Sequence, residues 1–308
     1  MMVKAPDRDR QAAGLAIGRQ PSRPMPRPLG RVLAVASGKG GVGKTNLAVN
    51  LGIALARRRR KVLVFDGDLG LANVDVLLGL RVERTLRDVV TGRADLEDVL
   101  VEGPGRILIA PGGGGFAGLA NLDAFGRGRL LRQLASIESR FDFVIVDTAA
   151  GVGDDVIEFL RSVGEVMLVT TPEPTALTDA YALVKVTTSG TPSLRFGLVV
   201  NDALSIAEGN DAATRLREVT RRFLSVELPL WAVLQHADEV GLAVRAQQAV
   251  VEAYPDSSFA RGIQQLCSHV IGDDSMPPPA TITTLSQAIQ GFFHRLGSIS
   301  TLAAQRRA

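Results

Sequence analysis

A complete phosphate-binding loop, Gly38-Lys39-Gly40-Gly41-Val42-Gly43-Lys44-Thr45, is the feature that most constrains the fold. In such a loop the backbone N–H groups face the phosphates, the last lysine reaches the β- and γ-oxygens, and the threonine hydroxyl ligates Mg²⁺. A strand-like apolar run precedes the loop at 31–36, and apolar residues recur at helical spacing through 46–60. We therefore predict that a nucleoside triphosphate binds at the start of a helix, at Gly38, Gly40, Gly41, Val42, Gly43, Lys44, Thr45 and Asn46.

The rest of the chain alternates apolar, strand-like runs with helical patterns, which predicts an α/β fold with a doubly wound, mostly parallel sheet. The later runs are 61–66, 107–110, 143–147, 165–171, 195–200 and 228–233. With 308 residues and 46% hydrophobic content, one nucleotide-binding domain with tails is sufficient. We assign residues 1–29 to a basic, proline-rich tail, 30–275 to the domain, and 276–308 to a proline linker and a last helix.

Three carboxylates follow predicted strands. Asp66 and Asp68 are separated by one residue, so one can serve the metal while the other faces the γ-phosphate; capping of the next helix is the alternative. Asp147 ends an apolar strand in the Walker B pattern, and we predict that it holds Mg²⁺ through water or the hydroxyl of Thr45. Asn201 also ends a strand, and its amide can donate to and accept from a base; a plain turn residue is equally consistent.

Composition excludes several classes of protein. A single cysteine, Cys267, excludes an intramolecular disulfide framework and any multi-cysteine metal centre. No stretch resembles a membrane span or a signal peptide, so we expect a cytoplasmic protein. The net charge of +3 is too small to indicate nucleic-acid binding, and we expect none directly.

The second lysine of the loop, Lys39, makes it resemble the deviant Walker A loop of the MinD/ParA family of dimerising ATPases. That resemblance implies binding of ATP and Mg²⁺, with Lys44 serving its own nucleotide and Lys39 crossing the dimer interface to the partner's ATP. It also implies that Asp68 orients the attacking water, and that Asp66 is a supporting acid at the Mg²⁺ site with Thr45 and Asp147. A solvated surface lysine is the alternative for Lys39.

The resemblance extends to the adenine side of the site. In MinD-like proteins the segment 171–175 and the position of Asn201 approach the adenine. The proline-containing turn that follows the last strand in that family is replaced here by the sequence LQHAD at residues 234–238. Contacts to adenine on that side therefore cannot be carried over from the family.

Residues 66–79, 147–151 and 172–181 resemble one branch of the family, the flagellar-number regulators FlhG and FleN. The branch implies an ATP-dependent homodimer that controls flagellar number and placement. Its implied partners are a flagellar signal-recognition-type GTPase, flagellar switch proteins or a transcription regulator. Division-site placement and DNA partition are alternatives with the same chemistry, and a nucleotide-locked scaffold that needs no turnover is another.

Both tails carry a functional hypothesis. Residues 11–15 resemble the activator segment of this branch, although Arg10 and Ala16 depart from its pattern, and a disordered tail is the alternative. Near the C-terminus, apolar residues at helical spacing predict an amphipathic helix on the inner membrane surface, through Leu285, Ile289, Phe292, Phe293 and Leu296. Packing of this face on the sheet is the alternative; we favour the membrane because a proline linker separates the helix from the core.

Overall fold

The computed structural model describes residues 30–67, 74–112, 122–189, 194–272 and 283–305, without the side chains of 297–305. Its strands are β1 (Arg31–Ala36), β2 (Val62–Gly67), β3 (Val101–Glu102), β4 (Leu108–Ala110), β5 (Phe143–Thr148), β6 (Glu165–Thr170), β7 (Arg195–Ala203) and β8 (Leu230–Gln235). They form one sheet in the order β3-β4-β2-β5-β1-β6-β7-β8. Among these strands the β3–β4 pair is antiparallel and the other pairs are parallel. The predicted fold class is thus confirmed.

Helices cover both faces of this sheet. They are α1 (Lys44–Arg57), α2 (Val74–Leu77), α3 (Leu86–Val90), α4 (Leu96–Val99), α5 (Ala124–Ile137), α6 (Asp154–Ser162), α7 (Pro174–Thr188), α8 (Ile206–Leu224), α9 (Asp238–Arg245), α10 (Val250–Ala253), α11 (Ser258–Gly272) and α12 (Leu285–Gln305). One hydrophobic cluster lies under α1, α10 and α11, and a second lies under α5 to α8 and α12. The sheet is therefore buried on both sides, as continuous apolar strands require.

The position of β1 fixes the position of the site. β1 lies between β5 and β6, with Val35 paired to Asp147 on β5 and to Met167 on β6. The phosphate-binding loop follows β1 directly, so it leaves the sheet at its centre and at the carboxyl ends of the parallel strands. In open α/β sheets this edge is where ligands bind.

The C-terminal helix is present where it was predicted, but its apolar face is not available to a membrane. Four of the five predicted membrane residues are buried in the core and Leu296 is partly buried against it; the four are Leu285, Ile289, Phe292 and Phe293. The Phe292 ring meets Phe159 of α6 edge-on, with centroids 6.3 Å apart. The guanidinium of Arg127 on α5 lies 5.0 Å from the centre of the Phe293 ring.

The membrane orientation predicted for this face is therefore wrong in this structure. The packing alternative is the one observed, except that α12 packs mainly on helices α5 and α6 rather than on the sheet. Burying a large apolar side chain stabilises a fold by about 1.5–3 kcal/mol, so a helix that can reach the core will dock there. Within the described residues, every helix is too short or too polar to cross a bilayer.

Candidate nucleotide site

The phosphate-binding loop has the backbone that anion binding requires. Gly41 and Gly43 adopt left-handed conformations, with φ of 79° and 91°. Gly43 is the N-cap of α1, and Lys44 is its first residue. The first N–H groups of a helix lack partners within the helix, so this loop and the start of α1 can together bind phosphate. The Lys44 side chain is largely buried at this point.

The start of the loop is held against α7 and the segment after β5. A Cβ at Gly38 would lie 2.1 Å from the carbonyl oxygen of Asp179 on α7, so only glycine fits there. The Ser37 hydroxyl donates to the carbonyl of Lys39 at 2.7 Å. The Gly151 N–H donates to the carbonyl of Ser37 at 2.9 Å. The segment that follows the Walker B strand is thus bonded to the residue that precedes the loop.

Lys39 and Lys44 lie in different environments. The Lys39 ammonium lies 2.5 Å from a carboxylate oxygen of Glu173 and 3.1 Å from the hydroxyl of Thr175. The Lys39 side chain is 38% exposed and that of Glu173 is 63% exposed. Lys39 is therefore a surface cation, bound to the start of α7 in the same chain, and the crossing role stays a prediction.

The predicted metal ligands come together at the ends of β2 and β5. Asp66 and Asp147 are paired residues of these neighbouring strands, and both are almost fully buried. The Thr45 hydroxyl donates to a carboxylate oxygen of Asp147 at 2.5 Å. Carboxylate and hydroxyl oxygens are ligands that Mg²⁺ prefers, and these three residues fit that ion. Asp68 lies outside the described residues, so its assigned role stays a prediction.

Asn201 lies beside the loop, but its amide serves the loop itself. Its Nδ2 donates to the carbonyl oxygen of Val42 at 2.8 Å. A Cβ at Gly43 would lie 2.4 Å from the same nitrogen, so the amide packs directly on the turn. In the segment 171–175, which we expected to approach the adenine, Glu173 and Thr175 contact Lys39. Contacts of Asn201 and of this segment to adenine stay a prediction.

A cavity of about 480 Å³ continues from the loop, and two residues that line it were missed at the sequence level. They are Asp202, at the end of β7, and His236, just after β8. The His236 Nδ1 lies 2.7 Å from Asp202 Oδ1, and its Nε2 lies 3.4 Å from Asp238 Oδ1. The hydrogen bond to Asp202, followed by that to Asp238, raises the pKa of His236 above its usual 6.5. The sequence feature that could have indicated these residues is the altered turn at 234–238.

Comparisons with known proteins agree with this geometry. The AAA domain family matches residues 30–194. The antiactivator FleN of Pseudomonas aeruginosa is 45% identical over 250 residues, covering 81% of this chain and 88% of FleN. The flagellum site-determining protein YlxH of Helicobacter pylori is 30% identical over 86% of this chain and 89% of its own length.

A solved structure also has a fold similar to that of this chain. The septum site-determining protein MinD of Pyrococcus horikoshii, complexed with Mg-ADP, superimposes with a TM-score of 0.63 at 28% identity, covering 80% of this chain and 97% of MinD. The nucleotide and magnesium in that structure belong to a protein with a similar fold. The loop with two lysines, the paired aspartates and these relatives together show that the chain belongs to the MinD/ParA-type family of P-loop ATPases, and it is an ATP hydrolase.

Proposed function

We propose that this ATPase is a dimerising switch that regulates flagellar number and placement. The observation that carries the proposal is the separation of the two loop lysines. Lys44 is buried at the start of α1, whereas the Lys39 side chain lies on the surface and contacts the exposed residues Glu173 and Thr175. A surface cation beside the phosphate loop is placed to reach a nucleotide held by a second copy. The flagellar output is supported by the names of the relatives FleN and YlxH.

In the proposed cycle, ATP places its phosphates on the N–H groups of the loop and on Lys44. Bound Mg²⁺, held by Thr45, Asp66 and Asp147, would supply positive charge to the β- and γ-phosphates. Asp68 orients a water molecule that attacks the γ-phosphorus, which gives ADP and inorganic phosphate. The γ-phosphate favours the dimer because Lys39 of each copy gains an anionic partner across the interface. Its loss removes that contact and reverses assembly.

Light scattering with ATP and with ADP tests the dimer. We expect the wild type to dimerise with ATP alone, Lys44→Ala to lose ATP binding, and Lys39→Ala to keep ATP binding but lose assembly and phosphate release. Lys61→Ala is the matched control, because Lys61 is an exposed lysine away from the loop. Normal self-association of Lys39→Ala together with undiminished phosphate release would overturn the proposal.

Asp68→Ala separates a cycling switch from a nucleotide-locked scaffold. If turnover matters, this variant accumulates as the ATP-bound dimer and fails to restore normal flagellar counts in a deletion strain. If binding alone suffices, it restores them fully. Normal flagella with misplaced septa or lost plasmids in the deletion strain would instead support division-site placement or DNA partition.

The proposed partners are a flagellar signal-recognition-type GTPase, flagellar switch proteins or a transcription regulator. Capture of each purified candidate by the protein in ATP and in ADP tests the whole set, and a true partner is retained in one nucleotide state. For the GTPase, a peptide of residues 1–20 should raise its turnover. An unchanged rate would remove the activator hypothesis for the N-terminal tail.

We also propose that peripheral attachment to the inner membrane requires α12 to leave the core. Exposing Leu285, Ile289, Phe292 and Phe293 costs on the order of 6–12 kcal/mol, so the docked helix has little affinity for lipid. Liposome co-sedimentation with ATP and with ADP tests the idea, with binding expected in ATP. Equal binding by a chain that ends at residue 282 would refute it.

A further inference from the structure

The cavity beside the loop is where the base of a bound nucleotide would lie. It is lined on one side by residues 41–43 of the loop and on the other by the ends of β7 and β8 and by α9. Phosphates on the loop fix one end of the nucleotide, and the cavity provides room for the other end. The question is which side chain in this cavity recognises the base.

Asn201 is the first polar residue along β7 at this edge, and one N–H of its amide is used by the loop. Its Nδ2 is bonded to the Val42 carbonyl, and its side chain is 9% exposed. Turning the amide toward a base would break the contact that supports the loop. The next polar side chain, that of Asp202, lines the same cavity and is 58% exposed, so it is the more accessible acceptor for a base edge.

Asp202 is held in a defined position by His236. Asp202 has a left-handed backbone, with φ of 59°. Its Oδ1 accepts from the His236 ring, because an ionised carboxylate can only accept. His236 is fixed in turn: its N–H donates to the carbonyl of Ala203 at 2.8 Å, and its carbonyl accepts from the Ser258 hydroxyl at 3.1 Å. These contacts fix the Asp202 carboxylate beside the cavity.

We propose that Asp202 accepts a hydrogen bond from the exocyclic amine of adenine, and that His236 is its positioning residue. The inference rests on the proposed nucleotide site and deepens it. His236 occupies Oδ1, which leaves Oδ2 as the acceptor for the ligand. A carboxylate selects a base that presents a donor and disfavours one that presents only acceptors, since two acceptors repel.

The test compares ATP with purine riboside triphosphate, which lacks the 6-amino group, by competition against a ribose-labelled fluorescent nucleotide. We expect the wild type to favour ATP by about tenfold or more, as a charge-assisted hydrogen bond allows. Asp202→Ala should reduce the ratio to within about twofold. His236→Leu should reduce this affinity ratio to the same extent. His236→Asn should keep the wild-type ratio, because the asparagine amide can replace the Nδ1 donor. A merely structural role for His236 would change both affinities and leave the ratio unaltered.

Two results would overturn the inference while leaving the nucleotide site intact. One is ATP binding with an unchanged ratio in Asp202→Ala. The other is tighter binding of GTP than of ATP, because the carboxylate would then accept from the guanine edge. Failure of the wild type to bind either ATP or its analogue would instead refute the proposed function. The Asp202 and His236 side chains are 58% and 51% exposed, so truncating them leaves the core intact. Alanine is less favourable than aspartate at the left-handed backbone of Asp202, an effect on overall stability that thermal unfolding measures.

Discussion

Replacing Phe292 with alanine should destabilise the whole ATPase domain. The Phe292 ring is fully buried between α12 and α6, edge-on to Phe159. Truncation of a buried phenylalanine costs about 3–5 kcal/mol, which includes the loss of an aromatic pair. For a domain of this size, each kcal/mol lowers the melting temperature by about 2–4 °C, so we expect a fall of roughly 6–20 °C.

Urea unfolding followed by circular dichroism gives the free energy, and a thermal scan gives the melting temperature. The matched control is Phe125→Ala on α5, since the Phe125 side chain is 70% exposed; its free energy of unfolding should change by less than about 0.5 kcal/mol. A change below about 1 kcal/mol for Phe292→Ala would refute the reasoning. Helix α12 would then not belong to the core, and its apolar face would again be available to a membrane.

Three further results are expected. Arg161→Ala removes donors to the last carbonyls of α7 and the partner of buried Glu158, so urea unfolding should show a loss of about 1–3 kcal/mol. Gly38→Ala forces α7 away from the loop; we expect a loss of about 1–3 kcal/mol and weaker ATP binding in a fluorescence titration. The raised pKa of His236 gives stability that is present in full below pH 6.5 and lost as pH rises through the folded-state value. The melting-temperature advantage over His236→Gln should therefore shrink over that range, and a constant difference would contradict the assignment.

The sequence was sufficient for most of the sheet because parallel strands buried on both faces are continuous apolar runs. All seven predicted strands are present, with ends displaced by a few residues. The strand that was missed, β3, has two residues and pairs antiparallel with β4, so it has no periodicity to detect. The strand order, which places Asp66 beside Asp147, depends on tertiary packing that no local pattern encodes.

The site residues also divide into those that the sequence predicts and those whose contacts only the fold reveals. The loop was predictable because its glycines, lysines and threonine are adjacent in sequence and their chemistry is local. The partners of those residues were not, since Lys39 binds Glu173 across 134 positions of sequence. The amide of Asn201 illustrates the limit: residue type predicted a hydrogen bond at the ligand edge, but only the fold shows that the acceptor is the Val42 carbonyl.

The C-terminal helix shows why periodicity predicts a buried face but not what buries it. The same apolar residues cannot stabilise the core and a lipid surface at once, so the two states compete. Membrane affinity is reduced by the fraction of molecules in which α12 is undocked. An undocking cost of about 6 kcal/mol leaves about one molecule in 10⁴ competent. If ATP-driven assembly lowers that cost, as the proposed cycle requires, lipid binding through this helix should depend on the nucleotide state.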